Sequence, residues 1–185
     1  MKILVSLSDV DYLVPETERA AYVSDECHRH ILRSVGGVFV LFPGMRKYLQ
    51  GVRYTKKLTS SFDAFDKELT YSTYGLSGTV QEAQELLARA NKPGFSVHQA
   101  RGFDSLIIHE LGHAVDHWIR WKHRHDEDAL DAYWQDKHEL FKTLPHPSQY
   151  ALKNASEFMA EQFALEYLGH GKRALIELLF KWRDK

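Results

Sequence analysis

The segment Phe103–Lys122, FDSLIIHELGHAVDHWIRWK, constrains the fold more than any other part of the chain. At about 100° per residue around a helix, with His109 at zero, His113 falls near 40°, His117 near 80° and Glu110 near 100°, while Asp116 and Arg120 lie within about 20° of His109. Phe103, Ile107, Ile108, Leu111, Ala114, Val115, Trp118 and Ile119 fill the opposite arc, from roughly 120° to 280°. A helix with so wide an apolar face is packed on most sides. Its polar stripe must open on a cleft or on water.

Helical patterning continues to the end of the chain, through Glu127–Leu144, Ala155–Leu168 and Lys172–Trp182. The breaks fall at the HRHDED run, at Pro145-His146-Pro147 and at Gly169-His170-Gly171. The first hundred residues read differently. Lys2–Leu7 and Val38–Phe42 are short aliphatic runs expected to be strands, the latter set off by Gly36-Gly37 and Pro43-Gly44. Pro15–Ser34 carries apolar residues at helical spacing, and Gln81–Asn91 reads as a compact helix. Glu68–Tyr74 and Ser77–Val80, flanking Gly75, are expected to form a hairpin at a sheet edge. The expected architecture is α+β, with a small N-terminal twisted sheet and its helices, then an active-site helix and a helical C-terminal half. With 185 residues the chain suits one domain, 1–185, with a cleft where the two halves meet.

Charge narrows the range of partners. With 24 basic and 25 acidic side chains and a formal net charge of −1, no global field favours nucleic acid or an anionic membrane. The lone Cys27 rules out an internal disulfide framework and a cysteine-rich zinc module, and it reads as a small apolar filler on a helix. The N-terminus lacks the pattern of a secretory signal, and no run approaches the roughly 20 apolar residues of a membrane span. The expected location is cytoplasmic, or outside the cell by a route that uses no signal peptide.

The polar stripe contains a specific arrangement. Two imidazoles at i and i+4, His109 and His113, stand one above the other about 6 Å apart, and both can reach one Zn²⁺ at about 2.0–2.1 Å. Glu110 points to the side of that pair, where it can take a proton from a water activated by the metal without itself ligating. A catalytic zinc site needs a third protein ligand and an open position. His117 lies about 12 Å along the axis from His109, too far to close the same shell comfortably. Glu157, in NASEFMAEQFALEYLG, is the better candidate, with Glu161 one turn on able to fix the tautomer of a ligating histidine. Asn154 and Glu157 also have the spacing of a capping box, in which the glutamate would serve only its own helix end.

Together, HELGHAVD at His109–Asp116 and YALKNASEFMAEQF at Tyr150–Phe163 resemble the catalytic domain of anthrax lethal factor and its relatives, including the Pro-Pro endopeptidases. These are gluzincin metallopeptidases with a zincin-like fold. The resemblance implies His109, His113 and Glu157 as zinc ligands, Glu110 as general base and acid, and Tyr150 as a hydroxyl assisting at the scissile carbonyl or leaving group. Glu161 and Asp116 would support the ligands from behind. Residues before 100 share no motif with that family, so substrate preference does not transfer.

The expected function is therefore zinc-dependent hydrolysis of a peptide or protein substrate, bound extended along a sheet edge, for which Glu68–Val80 is the choice from sequence. One alternative keeps the metal and loses the activity: a catalytically inactive zincin-fold domain of a phage or toxin assembly. Another is a metal-free interaction domain, presenting Trp118, Trp121, Tyr133 and Trp134, although aromatics at helical spacing usually belong to a core. His123/His125 and His138/His146 read as solvated linker histidines, with a second metal as the alternative.

Overall fold

The computed structural model describes residues 22–57, 59–90 and 98–185. It begins with α1 (Asp25–Leu41) and the single turn α2 (Met45–Tyr48). The strands β1 (Gly51–Thr55), β2 (Ser61–Asp63) and β3 (Glu68–Ser72) follow, and then the helices α3 (Val80–Ala90), α4 (His98–Lys122), α5 (Glu127–Thr143), α6 (Ala155–Tyr167) and α7 (Ala174–Asp184). The architecture is α+β and mostly helical. All four helices expected after residue 100 are present, as is the helix expected at Gln81–Asn91.

Two expectations fail in the first half. Val38–Phe42 is not a strand: Val38 to Leu41 form the last turn of α1, with Val38 and Phe39 fully buried. A short apolar run suits a buried helix as well as a buried strand, and Gly36-Gly37 lies buried within the helix rather than bounding it. The helix expected at Pro15–Ser34 begins only at Asp25, where the Ser24 side chain accepts from the Cys27 N–H at 3.1 Å. Residues 15–21 and the strand expected at Lys2–Leu7 lie outside the described residues.

The second failure concerns the hairpin. Glu68–Ser72 is a strand, but Ser77–Val80 is not, because Thr79 and Glu82 form a capping box that starts α3. Thr79 Oγ1 accepts from the Glu82 N–H at 3.2 Å and Glu82 Oε2 accepts from the Thr79 N–H at 2.7 Å. The partners of β3 come from upstream instead. The strand order is β1-β3-β2, with β1 parallel and β2 antiparallel to β3. Glu68–Val80 is therefore no sheet edge: β3 is central, and among the described residues the short strand β2 is the edge that packs on α4.

Helix α4 runs through the middle of the core, where Leu111, Val115 and Ile119 are buried with Phe42, Phe158 and Phe163. Two glycines fix its placement. Gly102 has φ +56 and ψ −128, a conformation open to glycine, and puts a kink near the helix start. At Gly112 an added Cβ would lie 3.0 Å from Ala160 Cα and 3.2 Å from Phe163 Cβ, so α4 and α6 approach as closely as a bare glycine permits. That approach brings the polar stripe of α4 against the first turns of α6. Among the described residues, no helix is long and apolar enough to cross a membrane.

Candidate metal centre

The stripe on α4 and the start of α6 converge at one point. His109 Nε2 lies 3.2 Å from His113 Nε2, and Glu157 Oε2 lies 3.3 Å from the first and 3.4 Å from the second. Three ligand atoms held tetrahedrally at 2.0–2.1 Å from one zinc ion would be roughly 3.3 Å apart, so the observed triangle has the size the ion requires. Among the described residues this triad is the group of three side chains placed to hold a metal.

The tautomers point the same way. His109 Nδ1 is 3.0 Å from Glu161 Oε1, and His113 Nδ1 is 3.2 Å from Ser156 Oγ. With each Nδ1 carrying its proton toward that partner, both Nε2 lone pairs face the Glu157 carboxylate oxygen. Three such atoms this close can share a proton or a metal cation between them. Burial opposes charging His109, but Glu157 and Glu161 outweigh it and lift its pKa to about 9. Burial likewise opposes ionisation of Glu157, yet the two imidazoles hold its carboxyl well below the usual range. The donor set of two imidazoles and one carboxylate suits zinc, so the residues present fit the metal.

Helix α6 supplies Glu157 without giving up its cap. Asn154 Oδ1 accepts from the Glu157 N–H at 2.9 Å, so the backbone half of the capping box is made. The Glu157 side chain turns instead toward the histidines and Tyr150, whose hydroxyl donates to Glu157 Oε1 at 3.3 Å. Tyr150 comes from a 3-10 turn, Tyr150–Leu152, just before α6, and its ring centroid is 6.0 Å from that of His109. Burial, with Glu157 beside it, raises the Tyr150 phenol, so it remains a donor at neutral pH.

Glu110 is 5 % exposed and lines the same cavity, which has a volume of about 260 Å³. Burial raises its pKa against the pull of His109 and His113. The strand β2 forms one wall of the cavity through Ser61 and Phe62, beside Ser60.

Not every residue singled out from sequence joins the cluster. Asp116 stands seven residues beyond His109, about 10 Å along the helix. Its carboxylate accepts from Tyr133 Oη and Lys137 Nζ, both at 2.6 Å, and pairs with Arg120 at 3.1 Å, which ties α5 to α4. His117 lines the cavity but outside the triad, 5.5 Å from the Phe62 ring, and burial pulls its pKa down to about 4. His123 lies 3.0 Å from the Trp182 carbonyl, and His138 and His146 both pack on Phe141.

The sequence gives less warning of four other participants. Ser156 and Ser148 contact His113 and Glu161, the latter through a 2.5 Å hydrogen bond from Ser148 Oγ. Ser156 directly precedes Glu157, which places it in the same turn of α6, but nothing local marks Ser148. Lys153 Nζ lies 3.5 Å from Tyr150 Oη and 3.7 Å from Glu157 Oε1, one turn before the ligand. Phe62 lines the cavity from a three-residue strand too short for side-chain patterning to report.

Residues 79–179, more than half of the chain, match the family described as anthrax toxin lethal factor, N- and C-terminal domain. No curated protein and no solved structure matches the chain.

Proposed function

The chain belongs to the anthrax toxin lethal factor N- and C-terminal domain family, and from that premise we propose that it is a zinc-dependent endopeptidase with a zincin-like fold. The observation that carries the reading is the triangle of His109 Nε2, His113 Nε2 and Glu157 Oε2, with edges of 3.2, 3.3 and 3.4 Å, beside a cavity that Glu110 and Tyr150 also line. Zinc held there supplies Lewis acidity, acidifying a water molecule and polarising the peptide carbonyl.

The side chains then divide the work. Glu110 accepts the water proton and delivers it to the departing amine; its raised pKa brings its basicity closer to the working pH than that of an exposed glutamate. Tyr150 turns its hydroxyl from Glu157 to the oxygen on which negative charge develops. Glu161, with Ser148 behind it, holds His109 in the ligating tautomer, and Ser156 does the same for His113. An extended peptide would run along the outer edge of β2 (Ser61–Asp63), of which Ser61 and Phe62 wall the cavity.

The test is a peptide-library digestion by the purified protein, with and without a chelator, alongside Glu110→Gln. The proposal expects chelator-sensitive cleavage that Glu110→Gln abolishes while zinc remains bound. Zinc binding with no cleavage of any library member would favour the non-hydrolytic domain instead. The placement of Glu110 and Tyr150 around one cavity supports catalysis, since neither is needed to hold the metal.

A further inference from the structure

On another side of α4 lies a second and larger cavity, of about 720 Å³, which shares no lining residue with the metal centre. It is bounded by α1, α4, the end of α6 and the start of α7. Its interior is apolar, with Ile108, Leu168 and Ile176 in the walls and Gly37 at a point where α1 has no side chain to fill the space. An added Cβ at Gly37 would come 2.5 Å from Tyr167 Oη, so the glycine leaves room for that hydroxyl.

The polar groups of this cavity are of two kinds. His30 and Asp104 satisfy each other at 2.5 Å, and Glu166, 3 % exposed, accepts from the N–H groups of Leu175 and Ile176 and from Gln162. The start of α7 is thereby already capped and offers no anion site of its own. Arg33 and Arg173 are different: both line the cavity, both are exposed, and neither has an ion-pair partner among the described residues. Tyr167 Oη likewise has no hydrogen-bond partner among them, and burial pushes its pKa up to about 12, so it stays a donor. An apolar hollow of this size, with a few polar groups that no described side chain engages, has the make-up of a small-molecule site.

We propose that this cavity binds a small amphiphilic carboxylate, its head group at Arg33 and Arg173 and its aliphatic or aromatic body against Ile108 and Ile176. Guanidinium groups pair with carboxylates through two parallel hydrogen bonds, and two unpaired arginines select an anionic head over a neutral or cationic one. The Tyr167 hydroxyl adds a donor inside the hollow. The site is independent of the zinc proposal, because its residues neither ligate nor face the metal.

Isothermal titration of the full chain with decanoate, decanol and acetate tests it. Decanoate should bind with 1:1 stoichiometry, decanol about tenfold more weakly or worse, and acetate without measurable affinity, since each lacks one half of the recognition. Arg33→Ala combined with Arg173→Ala should bring decanoate to the level of decanol. Both residues are exposed and unpaired, so that variant should fold normally, which its thermal unfolding would verify. Equal affinity for decanoate and decanol, or undiminished decanoate binding by the double variant, would overturn the proposal, as would binding without a defined stoichiometry.

Discussion

Glu161 Oε1 stands 3.0 Å from His109 Nδ1, on the far side of the imidazole from the Nε2 atom that meets Glu157. Glu161 is completely buried, and its carboxylate faces this ring and accepts from Ser148. Replacing Glu161 by Ala should weaken zinc binding roughly 10–100-fold by releasing the tautomer and the ring angle. Competition with a chromophoric chelator measures this directly, and unchanged affinity would remove Glu161 from the site.

Glu110→Gln keeps the shape of the side chain and removes its basicity. Turnover should fall by at least about 10²–10⁴-fold, with zinc content unchanged. Parallel elemental analysis and peptide cleavage separate loss of the base from loss of the metal.

Tyr150→Phe removes a hydroxyl that touches Glu157 but is not a ligand. A fall in kcat of about 10²-fold with little change in KM is expected if the hydroxyl serves the developing charge. A rise in KM with kcat intact would assign Tyr150 to binding the substrate instead.

Gly112→Ala tests how the site is assembled. The added methyl would crowd Ala160 Cα at 3.0 Å, forcing α4 and α6 apart at a cost of about 1–3 kcal/mol. Because Glu157 rides on α6 and the histidines on α4, zinc affinity should fall along with the denaturation midpoint. A stability loss with zinc affinity intact would show that the triad tolerates the separation.

The Asp116 cluster governs acid stability. Burial opposes ionisation of Asp116, but Lys137 and Arg120 outweigh it and depress the pKa. A carboxyl depressed in the folded state stabilises the protein above its unfolded pKa, about 3.9, and this stabilisation is lost as the pH falls further, through the folded value. Asp116→Ala should cost about 3–5 kcal/mol near neutrality by leaving Lys137 buried and uncompensated, and should flatten the acid limb below pH ~4. Urea denaturation across that pH range reads both effects.

The helical half and the triad were legible in sequence for one reason: a period of 3.6 residues places His109, His113 and Glu110 on one face of α4, and Glu157 and Glu161 one turn apart on α6. The sheet was not. Gly51–Thr55 and Ser61–Asp63 are five and three residues long, so the alternation in Val52-Arg53-Tyr54-Thr55 covers too few positions to mark a strand, and β2 matters as a wall of the cavity beside Glu110. The Val38–Phe42 run misled because periodicity cannot separate a short buried strand from the end of a buried helix. Thr79 and Glu82 did carry a readable sign, a capping box that argued against the hairpin. Asp116 shares the angular position of His109, but two turns of rise separate them, so it anchors α5.

The measurement closest to the central claim is the zinc-binding equilibrium of the wild-type chain beside His109→Ala, His113→Ala and Glu157→Ala. One equivalent of zinc should bind the wild type, and each substitution should weaken it by more than the roughly 10–100-fold expected at Glu161. Full zinc affinity in Glu157→Ala, or no zinc bound by the wild type, would contradict the account.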